Sequence, residues 1–324
     1  MNPVSAIILV GGSGPSLLRS QFGMPVCLLP TPVAPSLVAA WVQLVKQFDH
    51  VTDITVVTGR PEDLPKIEKQ LGSIPDFLGY PLEVKTDKNE HRGTAGTLRD
   101  TIIGRQNVND LLLIEGTAIP PGNIDVIAEM SIDEEGIDGA IIQTPLSEPA
   151  GMIILKRKVL ELIPEVGFFD LKEQLLPKVI SDGNRVLVRQ IDDQLRRITR
   201  VEDYLAHIAR FPRTSKSRGD LDPWIHETAQ VDPTAVITSS VLVGKGVQVG
   251  PRAIIDQAVL LEGCQIGADA LITRSVVKPN KQIQAGTRLD EGEEKLPDAR
   301  WGGRSNGYNA HAGRGSHLAG GSKA

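Results

Sequence analysis

A chain of 324 residues that is 40% hydrophobic has room for about two domains and a real core, at roughly 100–200 residues per domain. Only 4% of it is aromatic, so that core is built from Val, Ile, Leu and Ala. A net charge of −5 argues against a nucleic-acid binder, which carries a basic excess.

The first apolar run, Ala6–Val10, meets Gly11 and Gly12 at once and has no basic lead-in. It is too short for a signal-peptide core, and no stretch reaches the ~18 apolar residues of a membrane span. Cys27 and Cys264 stand far apart without a CxxC partner, which gives neither a disulfide framework nor a zinc site. The expectation is a cytoplasmic chain.

Short apolar runs at Ala6–Val10, Ile54–Thr58, Leu111–Glu115, Ala140–Thr144 and Met152–Leu155 are continuous rather than alternating, as strands buried on both faces are. Helical spacing occupies Glu62–Leu71, Ala95–Arg105 and Asp125–Met130, and later Leu171–Ile180 and Val201–Arg210. Strands alternating with helices predict a doubly wound α/β sheet. Phe211–Pro223 has the Pro, Gly and Ser content of a linker.

Beyond it the pattern changes to a period of six. Ile225, Val231, Ile237, Val243, Val249, Ile255 and Leu261 form one series, and Ala229, Ala235, Val241, Val247, Ala253 and Val259 a second. Gln265 interrupts the second series before Leu271, Val277, Ile283 and Leu289 continue it. Neither a helix nor a simple strand has this period; a solenoid with three flat faces does. The spacing resembles the hexapeptide repeats of the left-handed β-helix, here about three coils from Ile225 to Lys278. From Asp290 onward Gly, Ser, Arg and His dominate without apolar periodicity, so a disordered tail is expected, with His311 and His317 solvated rather than ligating.

The first strand runs into Gly11-Gly12-Ser13-Gly14 and then Leu17, Pro25, Leu28, Leu29 and Pro30. Glycines after a first strand let backbone N–H groups approach phosphates, although tight-turn glycines alone would look the same. The whole block resembles the signature of the sugar-nucleotide pyrophosphorylases, GGxGTRLxPLT followed by PKPLLPV. Gly93-Thr94-Ala95-Gly96-Thr97-Leu98 is similar to that family's GTAGAL, which helps hold the base. Phe169-Asp170-Leu171-Lys172-Glu173 with Leu175-Leu176-Pro177 resembles the stretch leading into a late helix, and Val201–Leu205 the closing TPEDYL.

The resemblance implies an α/β fold with a Rossmann-like, doubly wound nucleotidyltransferase domain over residues 1–210. A linker at 211–223, a short left-handed parallel β-helix at 224–289 and the tail at 290–324 follow. It also implies a reaction, the joining of a sugar-1-phosphate to a nucleoside triphosphate with release of pyrophosphate. In that family an arginine, a lysine and magnesium on two aspartates offset the phosphate charge. Here the matching positions hold Ser16, Val26, Thr117 and Arg197. Between Thr144 and Gly151 the family's few dozen residues of sugar pocket shrink to Pro145–Ala150.

The expectation is therefore a catalytically impaired relative with no catalytic or metal-ligating set, in which magnesium has a role only if catalysis survives. Gly11, Gly12, Gly14, Gly93, Thr94, Ala95 and Gly96 are the candidate nucleotide-binding residues. Its partners would be a nucleotide or nucleotide sugar, a second copy joined through the β-helix, and an active homologous subunit, with no nucleic acid and no membrane. One alternative is an active enzyme with relocated groups, for which Arg19, Arg92 and Glu115 are candidates. The other is an acyltransferase in the β-helix, with His226 as its base.

Overall fold

A computed structural model describes residues 3–11, 17–87, 92–105, 108–121, 137–144, 149–190, 197–210 and 223–295. Its first unit is a seven-stranded sheet of β1 (Val4–Leu9), β2 (Val51–Thr58), β3 (Leu82–Thr86), β4 (Asp110–Glu115), β5 (Ile137–Gln143), β6 (Pro149–Lys156) and β7 (Arg185–Gln190). The order across the sheet is β3-β2-β1-β4-β6-β5-β7. β1 pairs in parallel with β2 and β4, and β2 with β3. β6 runs antiparallel to both β4 and β5, so the sheet is mixed rather than wholly parallel.

Both faces of the central strands are buried, which is why those strands are continuous apolar runs. One face (Ala6, Ile8, Ile54, Val56, Leu112, Ile114, Met152, Ile154) packs on helices α2 (Leu37–Val45) and α3 (Leu64–Gly72). The other (Ile7, Val57, Leu111, Leu113, Ile153, Leu155) packs on α4 (Gly93–Ile102) and on Leu171, Leu175, Leu176 and Val179. Helix α2 buries Leu37 through Val42 together with Leu44 and Val45, so it lacks the one-sided stripe that marks a helix in sequence. The expected helix at Asp125–Met130 lies outside the described residues.

The second unit is a parallel β-helix. Three ladders stack: one of Trp224, Leu242, Val259 and Val276; one of Gln230, Gln248, Gln265 and Gln282; and one of Val236, Ile254, Leu271 and Arg288. Each ladder has four rungs, so there are four coils rather than about three, and the antiparallel strand Glu293–Lys295 extends the third.

The six-residue frame also needs correction. It holds from Ile225 to Ile255, and then the inward residues become Leu260, Ile266 and Ile272, followed by Val277, Ile283 and Leu289. One residue is lost at each of two corners, where Gln257 and Arg274 adopt positive φ of 47° and 42°. Gln265 is therefore no interruption. It is an outward rung between Gln248 and Gln282, and Val259 and Leu261 point away from the coil axis to other partners. Tight corners explain the glycines: a Cβ on Gly244 would meet the Leu260 carbonyl oxygen of the next coil at 2.8 Å.

One ladder packs against the α/β unit. Leu242, Val259 and Leu261 share an apolar cluster with Phe22, Leu29, Leu37, Ile119, Ile198, Tyr204 and Ile208. Phe22 ends helix α1 (Leu17–Phe22), and Tyr204 and Ile208 lie on the closing helix Val201–Arg210. Burial pushes the Asp203 carboxyl of that helix up, but hydrogen bonds from Thr199 and the Arg200 backbone outweigh it and hold the group below its ordinary value. Leu242→Ala removes a buried side chain from this seam. The expected loss is about 2–5 kcal/mol, seen as a lower urea midpoint by probes in both units.

Candidate functional site

In open α/β sheets ligands bind outside the carboxyl ends of the strands. At that edge Gly11, two residues past β1, has φ +117°, and its carbonyl accepts from Gly59 N–H at 2.9 Å. Gly12, Gly14 and Ser16 lie outside the described residues. Val26, at the position of the family's lysine, is half-buried in the apolar seam with Phe22 and Tyr204.

The block Gly93–Gly96 opens α4 and is locked to the Phe168–Asp170 stretch. Gly93 has φ +71°, and a Cβ there would lie 2.6 Å from the Phe169 carbonyl oxygen. That oxygen accepts from the N–H groups of Ala95 and Gly96 at 3.1 and 3.3 Å. The Thr94 hydroxyl donates to Asp170 at 3.0 Å and accepts from Leu171 N–H at 2.9 Å. The Ala95 and Gly96 N–H groups of α4 are thus engaged by the chain itself, and both glycines of the block are required by close packing.

The Asp170 carboxyl also caps the wide helical turn Leu171–Leu175, accepting from Lys172 and Glu173 N–H at 2.8 and 3.0 Å. Burial raises its pKa, while these bonds, the Thr94 hydroxyl and the Lys172 ammonium together bring it below the ordinary carboxylate value.

The relocated cations do not form a phosphate site. Arg19 is fork-paired to the buried Asp63, with Nη2 to Oδ1 at 2.7 Å and Nη1 on Oδ2. Arg92 is buried, pairs with Asp100 at 3.0 Å and donates to the carbonyls of Gly167 and Pro164 at 2.6 and 3.0 Å. It braces the loop against α4. His226 is an exposed turn residue whose Nδ1 accepts from Thr228 N–H at 3.1 Å. Both cysteines are buried, and desolvation pushes each thiol up to about 12.

The charged centre of this edge is Glu115, at the end of β4. Its Oε1 accepts from the Lys172 ammonium, and its Oε2 lies 2.6 Å from Arg197 Nη2. Trp41, fully buried in α2, donates its indole N–H to the Ala118 carbonyl at 2.7 Å, and Ala118 bridges to Arg197. Arg197 therefore lies beside the turn that carries Thr117.

Magnesium does not fit here. Such an ion takes oxygen ligands, carboxylates above all. Among the described residues the two matched positions offer a neutral hydroxyl and a guanidinium, and both oxygens of the Glu115 carboxylate are held by cations. Among the described residues no group of three or more His, Cys, Asp or Glu gathers for a metal. Beside Glu115, a cavity of about 20 Å³ lined by Ile141, Gly151, Met152 and Lys172 holds about one water, not a sugar. Lys172 was not singled out by the sequence reading; it lies within the FDLKE stretch, yet its partner is 57 residues away.

A mixed α/β sheet, a glycine block opening α4 and a hexapeptide β-helix agree with a likeness to the sugar-1-phosphate nucleotidyltransferases, which the comparisons with known proteins support. The family described as the GMPPB C-terminal domain matches residues 222–296. The chain is 22% identical over 308 residues to a mannose-1-phosphate guanylyltransferase from Mycobacterium tuberculosis, covering 84% of this chain and 83% of that protein. It is 31% identical over 107 residues to the bifunctional protein GlmU from Marinobacter nauticus, covering 33% of this chain and 23% of that protein. These matches support a sugar-nucleotide pyrophosphorylase family with a C-terminal hexapeptide-repeat domain. Among the described residues no helix is long and apolar enough to cross a membrane.

Arg19→Ala removes the close partner of the buried Asp63 and leaves Lys66 at 3.9 Å. The expected cost is about 1–3 kcal/mol of stability. Adding Asp63→Asn should recover most of it in a double-mutant cycle read by denaturant unfolding.

Proposed function

We propose that this chain binds a nucleotide or nucleotide sugar at the carboxyl edge of its sheet without ordinary turnover, as a regulatory or assembly subunit. The observation that carries this reading is the state of Glu115. Its carboxylate is shared between Lys172 and Arg197, where transfer chemistry of this family calls for a metal between carboxylates. Arg19 and Arg92, two further basic residues near the glycine segments, pair with Asp63 and Asp100. Nucleotide contact is assigned to Gly11, Gly12 and Gly14 and to the Gly93–Gly96 block with Thr94 and Ala95.

The assembly role belongs to the β-helix. Its third ladder exposes Val236 and Ile254, at 56% and 45%, in a row that no described segment covers, and the first coil leaves Ile225 open as well. A second copy, or an active homologous subunit with its own coils, is the partner of matching chemistry. The location that fits these partners is the cytoplasm.

A second reading, an active transferase with a rearranged site, is favoured by the likeness to the mannose-1-phosphate guanylyltransferase, which spans 83% of that enzyme. One experiment separates the two. Purified protein is given mannose-1-phosphate and GTP, and then a panel of other pairs, with magnesium, and pyrophosphate release is followed. The expected result is no release above background, together with calorimetric binding of at least one nucleotide or nucleotide sugar. Turnover in the usual enzyme range of about 1–1,000 per second would establish the transferase instead.

A further inference from the structure

At Glu115 one carboxylate is shared by two cations, Lys172 on Oε1 and Arg197 on Oε2, and the Asp170 carboxylate acts on Lys172 as well. Neither cation is spent. An ammonium carries three donors and a guanidinium five, and the two side chains remain 36% and 42% exposed.

Their placement is fixed from two independent directions. Lys172 sits on the turn capped by Asp170, which is itself tied to Thr94. Arg197 is bridged to Ala118, which Trp41 holds from the opposite face of the sheet. Both converge at the carboxyl end of β4, beside the end of β1, where Gly116 N–H donates to the Leu9 carbonyl at 2.8 Å. A solvated surface lysine or arginine has no such double tether.

Convergent Lys and Arg donors on one point suit an oxyanion with several acceptor oxygens, and a guanidinium fork matches phosphate geometry in particular. The same charges repel a divalent cation. Resting on the reading that this edge still takes a nucleotide, we propose that Lys172 and Arg197 form a phosphate clamp that takes a di- or triphosphate group free of magnesium. Glu115 holds the two cations in place until the anion displaces it. The magnesium requirement is thereby inverted: the metal masks the ligand's charge and competes with the clamp.

The test is calorimetric titration of the full chain with inorganic pyrophosphate, GDP and GTP, in EDTA and in excess magnesium. Binding in EDTA that weakens when magnesium is added is expected. Lys172→Gln and Arg197→Gln should each weaken it about tenfold or more, the scale of a lost charge-assisted hydrogen bond, while Lys172→Arg and Arg197→Lys retain most of it. Glu115→Gln should tighten it, an effect that a purely structural ion pair does not produce. Binding that needs magnesium overturns the clamp. So does nucleotide binding indifferent to the Lys172 and Arg197 variants, an outcome that leaves the nucleotide-binding reading standing. If no nucleotide, nucleotide sugar or pyrophosphate binds under either condition, that reading and the clamp fall together.

Discussion

The seam around Tyr204 is the contact on which the rest of this molecule depends. Its ring is fully buried, lies edge-on to Phe22 at 5.6 Å and 86°, and its hydroxyl donates to the Pro30 carbonyl at 2.7 Å. Burial pushes its phenol well above the usual value, so the group stays a neutral donor. Leu242, Val259 and Leu261 from the coils and Ile119 and Ile198 from the α/β unit complete the cluster. Ile119 adjoins Ala118 and Ile198 adjoins Arg197. The packing that joins the two units therefore also sets the bridge on which the Glu115 centre rests. Site and interface are one construction, and a change in the coils can reach the carboxyl edge through two residues.

Charge at that edge is handled in two ways. Arg19 and Arg92 each meet a carboxylate that answers them fully, and each then serves packing: one ties α1 to the start of α3, the other fastens the Gly167 loop to α4. A buried polar group needs such a partner to avoid an unmet desolvation cost. The Glu115 centre differs because it is only half-buried and one carboxylate is shared by two cations. Water can satisfy the donors that Glu115 does not take up.

How much of this was legible in the sequence follows from burial and from chain distance. The central strands β1, β2 and β4 stood out because both faces of their middle stretches are covered and apolar residues run there almost without a break. The edge strands β3 and β7 did not: Leu82–Thr86 and Arg185–Gln190 alternate charge with partial burial and resemble loops. Helix α2 failed for the opposite cause, being apolar almost all round. In the coils the six-residue rhythm identified the architecture, but a corner one residue short moved the inward position from Leu261 to Leu260. Of the site, Arg197 was placed by its distance from the closing motif and Thr117 by the strand before it. The roles of Lys172, Arg19 and Arg92 depend on pairings that local pattern does not carry, and both rearranged arginines lost the part that proximity to a glycine segment suggested.

A solenoid touches only its neighbours, so its length is ordinarily free to change by whole coils. Here that freedom has a direction. The Trp224–Leu242–Val259–Val276 ladder lies along the α/β unit, with Leu242 and Val259 seated against Phe22 and Tyr204. A coil inserted between those two rungs would displace one of them by a strand spacing, about 4.8 Å, and unseat it from the pocket made by the closing helix. A coil added after Leu289 would disturb nothing there. Lineages of this architecture are therefore free to vary in length at the far end of the stack, while the rungs nearest the sheet behave as a fixed gauge.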